Sequence, residues 1–154
     1  MQLGSNPLLN RFTRIDMGEM PRVNVTRRLT FAAGHILAKP EWDEARNREV
    51  FGACSGDHGH NYEVEVTVSG SVDVNTGMVI NLREVDRIVK DLVIHDVDHR
   101  HLNRDVPWLE GCLPTTENVA LAIWRRLEGK LPSARLERVR LKETENNVAE
   151  VERG

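Results

Sequence analysis

From Arg22 onward, apolar and polar residues alternate. Val23, Val25, Leu29, Phe31 and Ala33 occupy odd positions, with Asn24, Thr26, Arg28 and Thr30 between them. A period of two predicts a half-buried strand, although Arg27 interrupts its apolar face. Continued by two residues, that face reaches His35. A second alternation places Tyr62, Val64, Val66 and Val68 on one side and Glu63, Glu65 and Thr67 on the other; extended backwards, the apolar side reaches His60 and then His58. Between the two strands, residues 36 to 53 carry Pro40 and the charged stretch Glu41 to Glu49, so a long excursion is expected there. Gly70 and Asp73 to Gly77 predict a turn, and Met78 to Ile80 a short third strand.

The period then changes. Asn81 is a suitable N-cap, Glu84 stands three residues on, and Val85, Ile88, Val89, Leu92 and Val93 form an apolar stripe that fades at His95 and Asp96. A second helix is predicted from Pro114-Thr115-Thr116-Glu117, with Val119, Ile123 and Leu127 on one side and an end near Gly129 and Pro132. The chain closes on a hairpin-like pair, with Val139 and Leu141 on one face, a turn at Asn146-Asn147, and a return over Val148 to Val151. Segregated strands and helices predict an α+β fold with an antiparallel sheet and helices on one face. Residues 1 to 20 show no sustained period and are expected to form a loosely ordered N-terminal extension, leaving residues 21 to 154 as a single domain.

Composition narrows the function classes. A chain of 154 residues with 40% hydrophobic and 29% charged residues can bury one core and stay in solution. Its 21 basic and 24 acidic residues give a net charge of −3, which supplies no global attraction to nucleic acid or an anionic membrane. No apolar run approaches the ~18–20 residues that span a bilayer. Two cysteines, Cys54 and Cys112, are too few for a disulfide scaffold. A reducing, cytoplasmic setting is therefore expected, and the edges of so small a sheet are expected to be covered by oligomerisation.

The histidines concentrate the chemistry. Residues i and i+2 of a strand project to the same side, so His58 and His60 can converge on one ion, and His35 is a plausible third ligand. Three neutral imidazoles with an open fourth position form a catalytic zinc arrangement. The bland reading is three partly buried histidines hydrogen-bonded within the sheet. Cys54 either closes a four-ligand structural site or stays off the metal as a reactive thiolate; spacing leaves both open. Asp98-His99 is either a carboxylate-oriented proton shuttle or a surface pair. Arg100, His95 and His101 are expected in solvent. Glu143 shares the parity of Val139 and Leu141: it points to the apolar face if the strand continues, and into solvent if it does not. A carboxylate buried there needs partners, and a guanidine-like ligand edge offers two parallel donors.

Several separated motifs, in order, resemble the 6-pyruvoyl-tetrahydropterin synthase family, which includes the bacterial 6-carboxytetrahydropterin synthases of queuosine biosynthesis. They are Phe31-Ala32-Ala33-Gly34-His35, Cys54 with His58-Gly59-His60-Asn61-Tyr62, and Gly77-Met78-Val79-Ile80-Asn81-Leu82. Further on come Asp98-His99-Arg100-His101-Leu102-Asn103, Pro114-Thr115-Thr116-Glu117-Asn118 and Lys142-Glu143-Thr144-Glu145-Asn146-Asn147. The resemblance implies a tunnelling fold: a four-stranded antiparallel sheet with two helices per subunit, trimers that close a barrel, and a homohexamer of two trimers with active sites between subunits. It implies zinc on His35, His58 and His60, Cys54 as general base, and Asp98 and His99 as proton-relay partners, with His99 supplied by a neighbouring subunit. Glu143 would anchor the pterin ring, and Thr115, Thr116 and Glu117 would line its pocket.

The implied substrate is 7,8-dihydroneopterin triphosphate, the implied reaction triphosphate elimination with internal redox rearrangement. The product is 6-pyruvoyl-tetrahydropterin if the side chain is kept, or 6-carboxytetrahydropterin with acetaldehyde if its carbon–carbon bond breaks. Three residues separate Cys54 from His58, as in the carboxy branch. Val50-Phe51-Gly52, Asp105-Val106-Pro107, Thr115 to Asn118 and Glu145 to Asn147 look more like the pyruvoyl branch. A folate-related branch replaces the cysteine function with an acidic residue; Asp57 is close, but Cys54 is retained. Outside this chemistry, a non-catalytic zinc- or pterin-binding oligomer is the alternative.

Overall fold

The computed structural model describes residues 21–154, and the expected N-terminal extension lies outside the described residues. Two long strands, β1 (Val23–His35) and β2 (His58–Gly70), pair antiparallel along their whole length. β4 (Arg135–Thr144) joins the other side of β2, and β5 (Asn147–Glu152) follows as a hairpin. A two-residue strand, β3 (Arg100–His101), lies parallel on the free edge of β1, so the order is β3-β1-β2-β4-β5. The expected four antiparallel strands are present, and β3 is the addition.

The alternation sets the layers. Leu29, Phe31 and Ala33 of β1, with Tyr62, Val64, Val66 and Val68 of β2, are buried on one face. Helix α2 (Leu82–Val89) contributes Val85, Ile88 and Val89, and α4 (Thr116–Leu127) contributes Val119, Ile123 and Leu127 to the same core. Arg27, the break in the β1 pattern, reaches Asp86 of α2 at 2.7 Å instead of entering the core. Each helix starts on a cap: the Asn81 side chain accepts from Arg83 N–H and the Thr115 hydroxyl from Asn118 N–H.

Three local features depart from the sequence expectation. Met78 to Ile80 do not form a strand; Val79 and Ile80 enter the core as an irregular segment after the Asp73 turn, where Val79 packs close against Gly70. The excursion contains a helix, α1 (Glu44–Phe51), capped by Asp43. Its only buried residue is Asn47, so it presents no apolar stripe to read. The first core helix ends at Val97, close to the expected fade at His95 and Asp96, but it is not regular throughout. After α2 it passes through a π-helical segment, Lys90–Ile94, which buries Val93 and Ile94, into a last turn, α3 (His95–Val97), which buries Val97. Among the described residues, no helix is long and apolar enough to cross a membrane.

β4 is irregular at two places. Val66 faces Val139 but Val68 faces Leu136, so a bulge lets Leu136, Val139 and Leu141 all reach the core despite mixed parity. A second shift falls between Lys142 and Thr144 and leaves Glu143 unpaired in the ladder. β4 nevertheless continues to Thr144, so of the two readings of Glu143 the inward one holds.

Candidate active site

Strand register assembles the histidines. His35 stands directly opposite His58 and Ala33 opposite His60, so all three imidazoles leave the core side of the sheet at its open end. Their ligand atoms lie within 4.8 Å of one another. His35 Nδ1 is 2.8 Å from the Pro114 carbonyl, and His58 Nδ1 is 2.8 Å from the Gly56 carbonyl. A carbonyl has no proton to give, so both rings carry their hydrogen on Nδ1 and keep a lone pair on Nε2. Those two Nε2 atoms face each other at 3.0 Å. Two lone pairs at that separation repel unless a cation stands between them. His60 Nε2 is buried with no hydrogen-bond partner. Convergent lone pairs, an orphaned third nitrogen and backbone carbonyls fixing the far side of two rings fit a divalent metal.

Glu143 adds charge to this centre. Its Oε1 lies 3.6 Å from His35 Nε2 and 3.8 Å from His60 Nε2, and its side chain is only 10% exposed. The β4 bulge aims it there, and Asn147 Nδ2 donates to its second oxygen at 3.4 Å. Tyr62 backs the cluster: its ring stacks on Phe31 at 4.8 Å and its hydroxyl is 3.5 Å from His35 Nδ1. Burial, reinforced by the Glu143 carboxylate, raises the Tyr62 pKa, so the phenol stays protonated. No spacing rule pointed to Tyr62, Pro114 or Gly56, since two of them act through backbone carbonyls.

The other expected residues fall into two groups. Cys54 sits in the 3-10 turn Gly52–Ser55, and its carbonyl accepts from Leu37 N–H at 2.9 Å, just past His35. It is near enough to the Tyr62 hydroxyl to influence it, yet its sulfur is outside the set of converging ligand atoms. Thr115 spends its hydroxyl on the α4 cap; with Thr116 and the exposed Glu117 it follows directly on Pro114, which holds His35. Asp98 and His99 lie instead along the outer edge of β1. Asp98 Oδ1 accepts from Ala32 N–H at 2.9 Å and Oδ2 is 3.1 Å from His99 Nδ1. The Ala32 hydrogen bond holds the Asp98 pKa below the usual carboxylate value, with a smaller contribution from His99. His99 has φ 57°, and its side chain is 83% exposed. Among the described residues, no hydrogen bond or ion pair joins Asp98 or His99 to the three histidines. His95 is in solvent as expected, but His101 is not: its side chain is 14% exposed and lies against Asp57.

The sequence matches the family described as 6-pyruvoyl tetrahydropterin synthase over residues 24–154. The chain belongs to that family. The 6-pyruvoyl tetrahydrobiopterin synthase of Pongo abelii is 41% identical over 133 residues, covering 85% of this chain and 92% of that protein. The Drosophila melanogaster protein of the same name is 41% identical over 136 residues, covering 86% and 80%. The solved structure of Caenorhabditis elegans 6-pyruvoyl tetrahydropterin synthase superposes with a TM-score of 0.81 at 34% identity, covering 90% of this chain and 100% of that one. The α+β expectation from strand and helix segregation is thus met by a 6-pyruvoyl tetrahydropterin synthase fold, and the histidine triad lies within the matched residues.

Within this family member, proton competition has a definite sign. Burial lowers the His35 pKa below 6.5, opposed in part by its bond to Pro114, and burial likewise lowers that of His60. The unfolded chain therefore takes up protons below pH 6.5 that the folded metal-free protein resists, and stability falls as pH drops through that range. Above it, both states are neutral at these sites and their contribution is flat. Urea midpoints of metal-stripped protein, measured from pH 8 to pH 5, are expected to be level and then decline; a level profile throughout contradicts this.

Proposed function

We propose that this chain is a zinc-dependent 6-pyruvoyl-tetrahydropterin synthase that eliminates triphosphate from 7,8-dihydroneopterin triphosphate with internal redox rearrangement. The observation that carries the reading is the face-to-face pair of Nε2 lone pairs on His35 and His58 with the orphaned Nε2 of His60 beside them. The names of relatives sharing about 40% of its sequence support the reaction class. His35, His58 and His60 would hold the zinc, which would supply Lewis acidity toward the hydroxyls of the substrate side chain.

The rest falls to the protein. Glu143, nearly enclosed, accepts two parallel N–H donors from the guanidine-like edge of the pterin and so sets which carbon faces the thiol. Cys54, off the metal, removes the proton from that carbon as general base. Asp98 keeps His99 oriented, and the exposed imidazole serves the site of an adjacent subunit. Thr115, Thr116 and Glu117 line the pterin pocket beside Pro114, and local basic groups hold the triphosphate. A hexamer of two trimers, in the cytoplasm, completes this reading.

Incubation with 7,8-dihydroneopterin triphosphate, followed by mass analysis, is expected to give 6-pyruvoyl-tetrahydropterin and triphosphate in equal amounts. Acetaldehyde with 6-carboxytetrahydropterin assigns the carboxy branch, which the three-residue spacing between Cys54 and His58 favours. Tight pterin binding with no triphosphate release overturns the enzymatic reading.

A further inference from the structure

The segment from Asp98 to Asp105 is bound to the edge of β1 more tightly than a two-residue strand requires. His99 N–H donates to Ala32 O at 2.7 Å and Leu102 N–H to Gly34 O at 2.8 Å. Side chains extend the ladder at both ends: Asp98 accepts from Ala32 N–H, and Asn103 both accepts from Ile36 N–H and donates to Ile36 O, each at 2.9 Å. His101 N–H donates to Asp105 Oδ2 at 2.8 Å, fixing the backbone from which its ring departs.

That ring lies across the sheet behind the histidine triad. It packs on Gly34, where an added Cβ would come within 3.3 Å of its Cδ2. Its Nε2 is 3.2 Å from Asp57 Oδ1, while Arg104 Nη2 donates to the other Asp57 oxygen at 2.8 Å. Nδ1 is buried without a partner, which fits the tautomer carrying hydrogen on Nε2 and donating to Asp57. Gly34 immediately precedes His35, and Asp57 immediately precedes His58. These two ligands stand at the last residue of β1 and the first of β2, the positions where strands fray.

We propose that His101 is a positioning residue for the metal centre, holding the chain before His35 by packing on Gly34 and the chain before His58 by donating to Asp57. Without it, the chain before His58 keeps only the exposed Arg104 bond to the β1-edge segment, and Gly34 loses the ring packed on it. The far-side bond from His58 to Gly56 cannot replace that anchor, because Gly56 belongs to the same loop. This inference rests on reading His35, His58 and His60 as metal ligands.

The test is Zn²⁺ affinity of the full chain, stripped of metal and titrated against a chromophoric chelator, with thermal melting of the metal-free proteins alongside. His101→Ala is expected to weaken affinity about 10–100-fold, the range typical of lost outer-shell support. His101→Gln, whose amide N–H reaches the place of Nε2, is expected to recover most of the loss. Asp57→Ala is expected to weaken binding in the same direction, and Arg104→Ala, which removes only the other partner of Asp57, to leave it near wild type; Asp57 is 59% exposed, so this pair decides the matter if His101→Ala fails to fold. A merely structural role would lower the metal-free melting temperature and leave affinity unmoved. Wild-type affinity in both His101→Ala and Asp57→Ala overturns the proposal. Failure of the wild-type protein itself to bind Zn²⁺ overturns the metal reading and this inference with it.

Discussion

Replacing His58 with alanine is expected to abolish stoichiometric metal uptake and to lower turnover by about 10³-fold. Loss of a metal that stabilises developing charge removes several kcal/mol from the transition state, and each ~1.4 kcal/mol is a factor of ten in rate. His58 is the most informative ligand to remove. It lies at the end of β2, and its Nδ1 partner, the Gly56 carbonyl, is exposed enough for water to replace the lost bond. His35 is fully buried, and removing it strands the Pro114 carbonyl and opens a cavity, at a cost of about 2–5 kcal/mol in stability. Activity loss at His35 would therefore mix folding with chemistry. Metal content by elemental analysis and kcat at saturating substrate check the His58 variant; full metal occupancy in it would refute the three-histidine site.

The two faces of β1 and β2 were legible because alternation survives pairing: odd residues of one strand meet even residues of the other, and His35 lands opposite His58. The same parity argument identified Glu143, but only as one of two readings, since nothing in the residue pattern says where a strand stops. The bulge that leaves Glu143 unpaired has no compositional mark. Helix α1 was hidden for a related reason: it buries one polar residue, Asn47, whose side chain holds the backbone of Lys39 and Trp42, so its stability does not come from a stripe.

His101 is mostly buried, against the expectation from its surroundings in sequence. It stands in a largely polar stretch, Asp98 to Asp105, in which Leu102 is the one aliphatic residue. What buries it is the absence of a side chain at Gly34, a position in another strand, so the burial exists only once β3 lies beside β1. Periodicity reports contacts within an element; support that passes between elements through a glycine is invisible to it. The backbone carbonyls of Pro114 and Gly56 are the same kind of case, because every residue carries that acceptor and only the fold selects which two meet an imidazole.

Replacing Cys54 with alanine is expected to leave zinc bound and to lower kcat by about 10²–10⁴-fold, the usual contribution of a positioned general base. Two observations separate this from a four-ligand structural site. The three imidazole nitrogens gather within 4.8 Å without the sulfur. Cys54 is also held by its main chain, through the bond from Leu37 N–H to its carbonyl, which any residue at that position preserves. The turn that places the thiol therefore does not depend on the thiol, and the alanine variant should fold with its metal in place. Cys54→Ser is expected to recover little, because a serine hydroxyl is far less acidic than a thiol and stays protonated at neutral pH. Loss of zinc together with loss of the folded state in Cys54→Ala would mean that the sulfur completes a closed site, and the fourth position needed for substrate would not exist.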